Sequence, residues 1–197
     1  MLLCKYMPQA GYEYLLAYKI TIPIYDYTVV FCNRASKRSQ TYFPPLSSTR
    51  TYDQMIQSGR SGMTNIPEGN KQQSLGGYIK LSGVARASLE ELLKDYLSYA
   101  RQHQLLIWPK EKVVRDIGEI RIIWEILRKT PTLPDSPHFP TLLNHPVIAV
   151  NLMITLIKQA GYLQDQLINS LKEKHRREGG FSEKLLKQRL DYRKKNF

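Results

Sequence analysis

Cysteine is almost absent from these 197 residues, with Cys4 and Cys32 standing alone. Two thiols are too few for a disulfide framework and lack the paired CxxC spacing of a zinc site, so a reducing, cytoplasmic setting is expected. Long apolar runs are missing as well. Lys5, the tyrosines and Glu13 break up the N-terminal stretch before any h-region forms, and no signal peptide is expected. Residues 147–157 are the most apolar segment, but they include Asn151 and Thr155 and fall well short of the roughly twenty residues of a membrane span. They read as a buried helix, and no membrane partner is expected. Acid is the third deficit: 17 Asp and Glu stand against 29 Lys and Arg, a formal charge of +12, which points to an acidic partner. A hydrophobic content of 42% with 23% charged residues excludes a wholly disordered chain. No segment alternates as a strand should, and no internal repeat is visible.

What is present is helical periodicity. Ile24, Thr28, Phe31, Cys32 and Ala35 recur at spacings of three and four behind Pro23, which suits a first helical turn. Residues 51–54, Thr-Tyr-Asp-Gln, form a capping box that starts a second helix. That helix buries Met55, Ile56, Gly59, Met63 and Ile66, and its small residues Ser58, Gly59, Ser61 and Gly62 predict close helix contact, since interior glycine costs about 1 kcal/mol relative to alanine. Pro67 and Gly69 should end or kink it. Ser74 then caps a third helix with the seam Leu81, Val84, Ala85, Ser88, Leu89, Leu92, Tyr96 and Tyr99. A shorter helix over about 111–128 shows Val113, Val114, Ile117, Ile120, Trp124 and Leu127 on one face. Five of the eleven prolines lie in 130–146, which predicts an irregular crossover. Pro146 stands at a helix N1 position, and the following helix, to about His175, is apolar on nearly every side. A single bundle core uses only a stripe, so burial in an oligomer is the expected cause. Gly179 and Gly180 supply left-handed caps, and Ser182 starts a last short helix. The pattern is all-α: an antiparallel up-down four-helix bundle with an inserted extra helix and a short C-terminal one.

Enzyme signatures are sparse. His103, His138, His145 and His175 show no HExxH or other ligand spacing, so no metal is expected. His103 and His175 sit near helix C-termini, where a cation is favoured. The glycine pairs 76–77 and 179–180 match no phosphate-binding loop, and no cofactor is implied. Asp26, Asp53 and Glu68 are the one set that could hold magnesium for phosphodiester cleavage. The structural alternative puts Asp53 in a first helical turn, favoured by the dipole, and pairs Arg60 with a carboxylate across the bundle. With Asn65, these five are expected to be structural polar residues, and no catalytic residue is assigned.

Several spaced words carry a family resemblance: Ile-Tyr-Asp at 24–26, Phe-Cys at 31–32, Arg-Thr-Tyr-Asp-Gln-Met at 50–55, Arg-Ser at 60–61, Asn-Ile-Pro-Glu-Gly at 65–69, Val-Ala-Arg-Ala-Ser-Leu-Glu-Glu-Leu at 84–92, Ile-Thr-Leu-Ile at 154–157 and Glu-Gly-Gly-Phe at 178–181. In that order they resemble the bacterial four helix bundle protein family, which includes the 23S ribosomal RNA intervening-sequence proteins. The likeness departs at Pro67, where alanine is usual, and in the insertion at about 110–145. It implies a bundle domain over 18–193, preceded by an extension, 1–17, and followed by a basic tail, 194–197. The family is similar to the accessory protein of diversity-generating retroelements, a barrel-shaped pentamer with a basic surface that associates with nucleic acid and a reverse transcriptase. A homopentamer is the assembly this implies.

The charge is unevenly distributed. Lys172, Lys174, Arg176, Arg177, Lys184, Lys187, Arg189, Arg193, Lys194 and Lys195 face only four acids, giving +6, and Arg34, Lys37, Arg38 and Arg50 flank or lie in an acid-free loop, giving +4. These fourteen residues are the expected contacts to RNA or DNA phosphates. The expected function is therefore non-enzymatic nucleic-acid binding by an oligomer. A scaffold for a reverse transcriptase or another nucleic-acid enzyme is the alternative, and a metal-dependent nuclease ranks third.

Overall fold

A computed structural model describes residues 11–36, 42–72, 74–134 and 137–196. These residues form an all-helical fold, with no strand among them. After a 3-10 turn at Gly11–Tyr14 come α1 (Leu16–Lys19), α2 (Thr21–Arg34), α3 (Thr49–Asn70), α4 (Leu75–Gln102), α5 (Lys110–Asp116), α6 (Gly118–Lys129), α7 (Pro146–Glu178) and α8 (Phe181–Asn196).

The four long helices, α2, α3, α4 and α7, pack in a ring, with α3 on α4, α4 on α7, α7 on α2 and α2 on α3. The direction of each pair follows from its contacts. Tyr25 lies beside Gly59 while Asn33 accepts from the Tyr52 hydroxyl, so α2 and α3 run antiparallel. Gly62 meets Leu89 while Gly69 meets Tyr78, so α3 and α4 do too. Arg86 reaches Asp165 while Asn151 reaches the Leu106 carbonyl, which reverses α7 against α4.

The α2 face expected from spacing is buried at Ile24, Thr28, Phe31, Cys32 and Ala35. Phe31 is the hub of an edge-to-face cluster with Phe43, Tyr96 and Tyr99, at centroid distances of 5.6, 4.8 and 5.0 Å. The glycines of α3 also do what their positions predict. A Cβ on Gly62 would come within 2.6 Å of Leu89 Cδ2, and one on Gly69 within 2.7 Å of Tyr78 Cδ2. Side chains there would push α3 and α4 apart.

Several boundaries differ from the sequence reading. Ser48, not Thr51, caps α3, and its hydroxyl accepts the Thr51 amide at 3.1 Å. Pro67 does not end α3. It removes a single amide, the one that would reach the Met63 carbonyl, and the helix runs on to Asn70. Ser74 caps α4 as expected, and the seam is buried from Ala85 through Ser88, Leu89, Leu92 and Tyr96 to Tyr99 but shifts at its N-terminal end. Tyr78 and Ser82 are buried, whereas Val84 is 40% exposed. The helix expected over 111–128 breaks at Ile117 (φ −105°, ψ 90°), which turns both Val113 and Ile120 inward while leaving Val114 exposed. Pro146 does open α7, and Gly179 is left-handed at φ +73°. Gly180 is not, and α8 starts at Phe181, one residue before the expected Ser182.

Every residue from 149 to 157 is buried within the single chain. Besides α2 and α4, the elements α1 and α5 pack on α7, and the Trp124 indole of α6 donates to Gln159 at 2.8 Å. The all-round apolar character that pointed to an oligomer is therefore met by the chain's own inserted helices. One helix, from Pro146, is long and apolar enough to cross a membrane, and 61% of its most apolar window is buried inside the protein.

The irregular segments make few backbone hydrogen bonds, such as Leu46 N–H to the Ala35 carbonyl, and other buried carbonyls must find donors elsewhere. Side chains from α1, α2, α4 and α7 supply them. Buried Lys19 donates to the carbonyls of Leu127 (2.5 Å), Thr130 (2.8 Å) and Pro131 (3.3 Å), closing the C-terminus of α6 with a cation where the dipole favours one. Tyr27 and Tyr99 donate to the Pro140 and Pro44 carbonyls, each at 2.6 Å. Buried Asn151 is fully engaged, accepting from the Trp108 amide and donating to the Leu106 and Val147 carbonyls.

Candidate nucleic-acid interface

The antiparallel order decides where the two basic clusters fall. The segment from Arg34 to Arg50 joins the C-terminus of α2 to the N-terminus of α3, at the end where α7 begins. Residues 172–195 lie past the other end, where Leu171 packs with Ile66, Tyr78 and Ala85. The 22 residues of α3 separate these levels by about 33 Å. Within one chain the clusters do not form one surface.

The first cluster is also smaller than its sequence implies. Arg34 Nη1 donates to the Leu142 and Leu143 carbonyls at 2.8 and 3.1 Å, and its guanidinium carbon lies 5.7 Å from the Phe43 ring centroid. The guanidinium clamps the crossover and is not displayed as a phosphate contact, which corrects the expectation for Arg34. Lys37 and Arg38 lie outside the described residues. Arg50 is exposed in the first turn of α3.

The second cluster forms a coherent arm. Leu171 is the last buried side chain among the described residues, and every residue from 181 to 195 is exposed. Gly179 permits the turn between α7 and α8, and the Gly180 amide donates to the Glu183 carboxylate at 3.0 Å, capping α8. Some of the charge is locally compensated. Glu173 pairs with Arg176 at 2.7 Å and with Arg177 at 3.8 Å, while Glu178 pairs with Lys184 at 3.2 Å and Lys174 at 4.0 Å. Exposed pairs of this kind are worth about 0–1 kcal/mol, so they yield readily to a phosphate. Lys172, Lys187, Arg189, Arg193, Lys194 and Lys195 form no ion pair among the described residues. Between these cations stand exposed apolar side chains that charge counting overlooks: Phe181, Leu185, Leu186, Leu190 and Tyr192.

The polar residues of the family-like words are dispersed. Asp26 is exposed on α2, and its carboxyl is held above the usual range by partial burial. Asp53 and Glu68 are both exposed on α3, fifteen residues apart and thus about 22 Å along the axis. They cannot share an ion, and the magnesium site suggested by Asp26, Asp53 and Glu68 is not formed. No group of three or more His, Cys, Asp or Glu side chains suited to a metal occurs among the described residues. Because α3 starts at Thr49, Asp53 falls beyond its first turn. Arg60 is exposed and forms no ion pair among the described residues, and a cross-helix pair belongs to Arg86, which bridges Glu90 at 3.1 Å and Asp165 at 3.2 Å. Asn65 donates to the Ser61 carbonyl and hydroxyl one turn earlier on the same helix.

His103 ends α4 and packs edge-on against Tyr99, and His175 lies in the last turn of α7. The Cys32 thiol, pushed up to about 12 by burial and then by the Asp95 charge, is protonated at neutral pH and is no nucleophile. A cleft of about 340 Å³ between α3 and α4 is lined by Gln54, Gln57, Ser58, Glu91 and Asp95 and contains none of the residues expected at a site.

No protein-family model, curated protein or solved structure matches this chain.

Proposed function

We propose that this chain is a non-enzymatic, oligomeric, cytoplasmic protein that binds RNA or DNA through phosphates, with the arm of residues 172–195 as its contact surface. The reading takes the ring of α2, α3, α4 and α7 as an antiparallel up-down four-helix bundle, carrying α5 and α6 as an insertion and α8 as an appendage. The observation that supports it is the set of six exposed cations on one arm that have no acidic partner among the described residues. A phosphate backbone releases counterions when such residues approach, and it needs no shaped pocket.

Assembly multiplies the effect. A homopentamer, as the family resemblance implies, carries +60 from five copies of a +12 chain. Mass in solution tests the pentamer, and a stable monomer would exclude it. For the binding itself, affinity should fall about a thousandfold between roughly 50 and 200 mM salt if six phosphates are neutralised. The combined substitution Lys187→Glu, Arg189→Glu and Arg193→Glu should weaken all sequences alike. Salt-independent binding, or none at low salt, would sink the proposal. Sequencing nucleic acid that co-purifies at low salt identifies the partner class.

A second reading, an adaptor for a reverse transcriptase or another nucleic-acid enzyme, draws on the exposed Leu106 and Ile107 just before the insertion and on Val114 and Ile122 within it. Apolar side chains grouped at a surface mark protein contacts. Partners that survive nuclease treatment in a pulldown favour this reading, whereas partners lost with the nucleic acid favour the first.

A further inference from the structure

We infer that the C-terminal arm takes unpaired nucleic-acid strands in preference to duplex, stacking bases on the exposed stripe of Phe181, Leu185, Arg189 and Tyr192. The inference rests on the nucleic-acid reading above and narrows its ligand.

Intervals of four, four and three place these four residues on one face of α8. Phe181, Leu185 and Tyr192 are 43%, 48% and 67% exposed. Phe181 and Tyr192 stand eleven residues apart, about 16 Å along the helix, a span that admits more than one base between them. Lys184 and Lys195 border the stripe on one side and Arg193 on the other. The surface therefore alternates apolar faces with cations over its whole length.

A duplex answers only half of that surface. Its phosphates satisfy the cations, but its base faces are stacked away, and the apolar group its major groove offers is the thymine methyl. A single strand offers both phosphates and open base faces. Aromatic side chains and the Arg guanidinium plane are the groups on which such bases stack. A second copy of the arm would satisfy the apolar stripe but would bring two strongly basic helices together. Six cations against two acids over residues 181–195 oppose that contact.

The test compares labelled strands of about 16 nucleotides, DNA and RNA, with the same sequences annealed to their complements. Fluorescence anisotropy at fixed salt reads the affinities of the native protein and of the double variant Phe181→Ala, Tyr192→Ala. Both substitutions fall on exposed positions, so the fold is retained, and circular dichroism checks this. The native protein should bind the strand at least tenfold tighter than the duplex. The variant should lose about fivefold or more on the strand while changing duplex affinity less than twofold. A preference for duplex, or an equal loss on both ligands, overturns the inference and leaves the phosphate reading standing. Absence of binding to either ligand by the native protein overturns that reading as well. If sedimentation shows self-association that the variant loses while strand binding is unchanged, the stripe belongs to a second copy and the inference fails.

Discussion

Residues 149–157 and 172–178 belong to the same helix, α7, yet all of the first are buried and all of the second but His175 are exposed. Four elements, α1, α2, α4 and α5, pack on α7. The second extends past Leu171, where the partner helices stop, and passes through Gly179 into an α8 that is exposed throughout residues 181–195. The 33 residues of α7 span about 50 Å, against about 42 Å for the 28 of α4. Fold stability therefore resides in α7 up to Leu171, and the seven residues beyond it, 172–178, add length without a buried side chain.

The sharpest test of that division replaces one leucine in each region. Leu152→Ala empties a fully buried site and should cost about 2–5 kcal/mol. Leu186→Ala, at a position 57% exposed, should change stability by less than about 0.5 kcal/mol. Urea unfolding measures both, and comparable losses would mean that α8 packs on something the chain does not itself provide.

Charge makes the same contrast. On the arm, lysines face solvent, whereas Lys19 is 3% exposed and serves three carbonyls. Lys19→Met keeps most of the stem and removes the donor, leaving those carbonyls unpaired at a cost of about 2–3 kcal/mol. Lys187→Met on α8 should cost less than about 0.5 kcal/mol while weakening nucleic-acid binding. A stable Lys19→Met variant would mean that water replaces the ammonium.

Closer in scale, Gly59 and Gly62 lie one turn apart on α3 but meet different surroundings. A methyl at Gly62 strikes Leu89 Cγ at 2.9 Å, and the resulting overpacking costs about 1–3 kcal/mol, partly offset by a gain in helix propensity of about 1 kcal/mol. At Gly59 the nearest atom is 3.5 Å away, so Gly59→Ala should be neutral or stabilise by up to about 1 kcal/mol. Opposite shifts in the urea midpoint are expected, and equal shifts would show that Leu89 moves aside.

These contrasts explain what the sequence made legible. The charge of the arm is local in sequence, so counting located it, and Ser74 was readable as a cap because it precedes an uninterrupted periodic run. Ser48 was hidden behind residues 51–54, which fit a capping box equally well. Both the break at Ile117 and the shift at the N-terminal end of the α4 seam depend on which neighbour covers a face, which periodicity within one segment does not encode. Lys19 and Arg34 looked like ordinary surface cations. Their partners, the carbonyls of Leu127 and Leu142, are each more than a hundred residues away. The same nonlocality misled the oligomer argument, because the cover for residues 149–157 comes from the chain itself.

The smallest expected effect concerns acid. Asp95 lines the cleft between α3 and α4, and burial, then the neighbouring Glu91 charge, hold its carboxyl above the usual carboxylate range. The folded protein thus keeps this proton more tightly than the unfolded chain. The stabilising contribution is complete below the unfolded value of 3.8 and is lost as pH rises through the folded value. At pH 7 an ionised Asp95 is a liability, so Asp95→Asn should raise stability by a few tenths of a kcal/mol, about the size of surface effects. The gain should shrink as pH falls, and vanish well below the unfolded value of 3.8, where the carboxyl is protonated in both states. Asp191→Asn on α8, where the chain is fully open to solvent, should move neither midpoint. Urea midpoints at pH 7 and well below 3.8 decide the matter: an equal gain from Asp95→Asn at both would trace the effect to packing, and the electrostatic account of the cleft would fall.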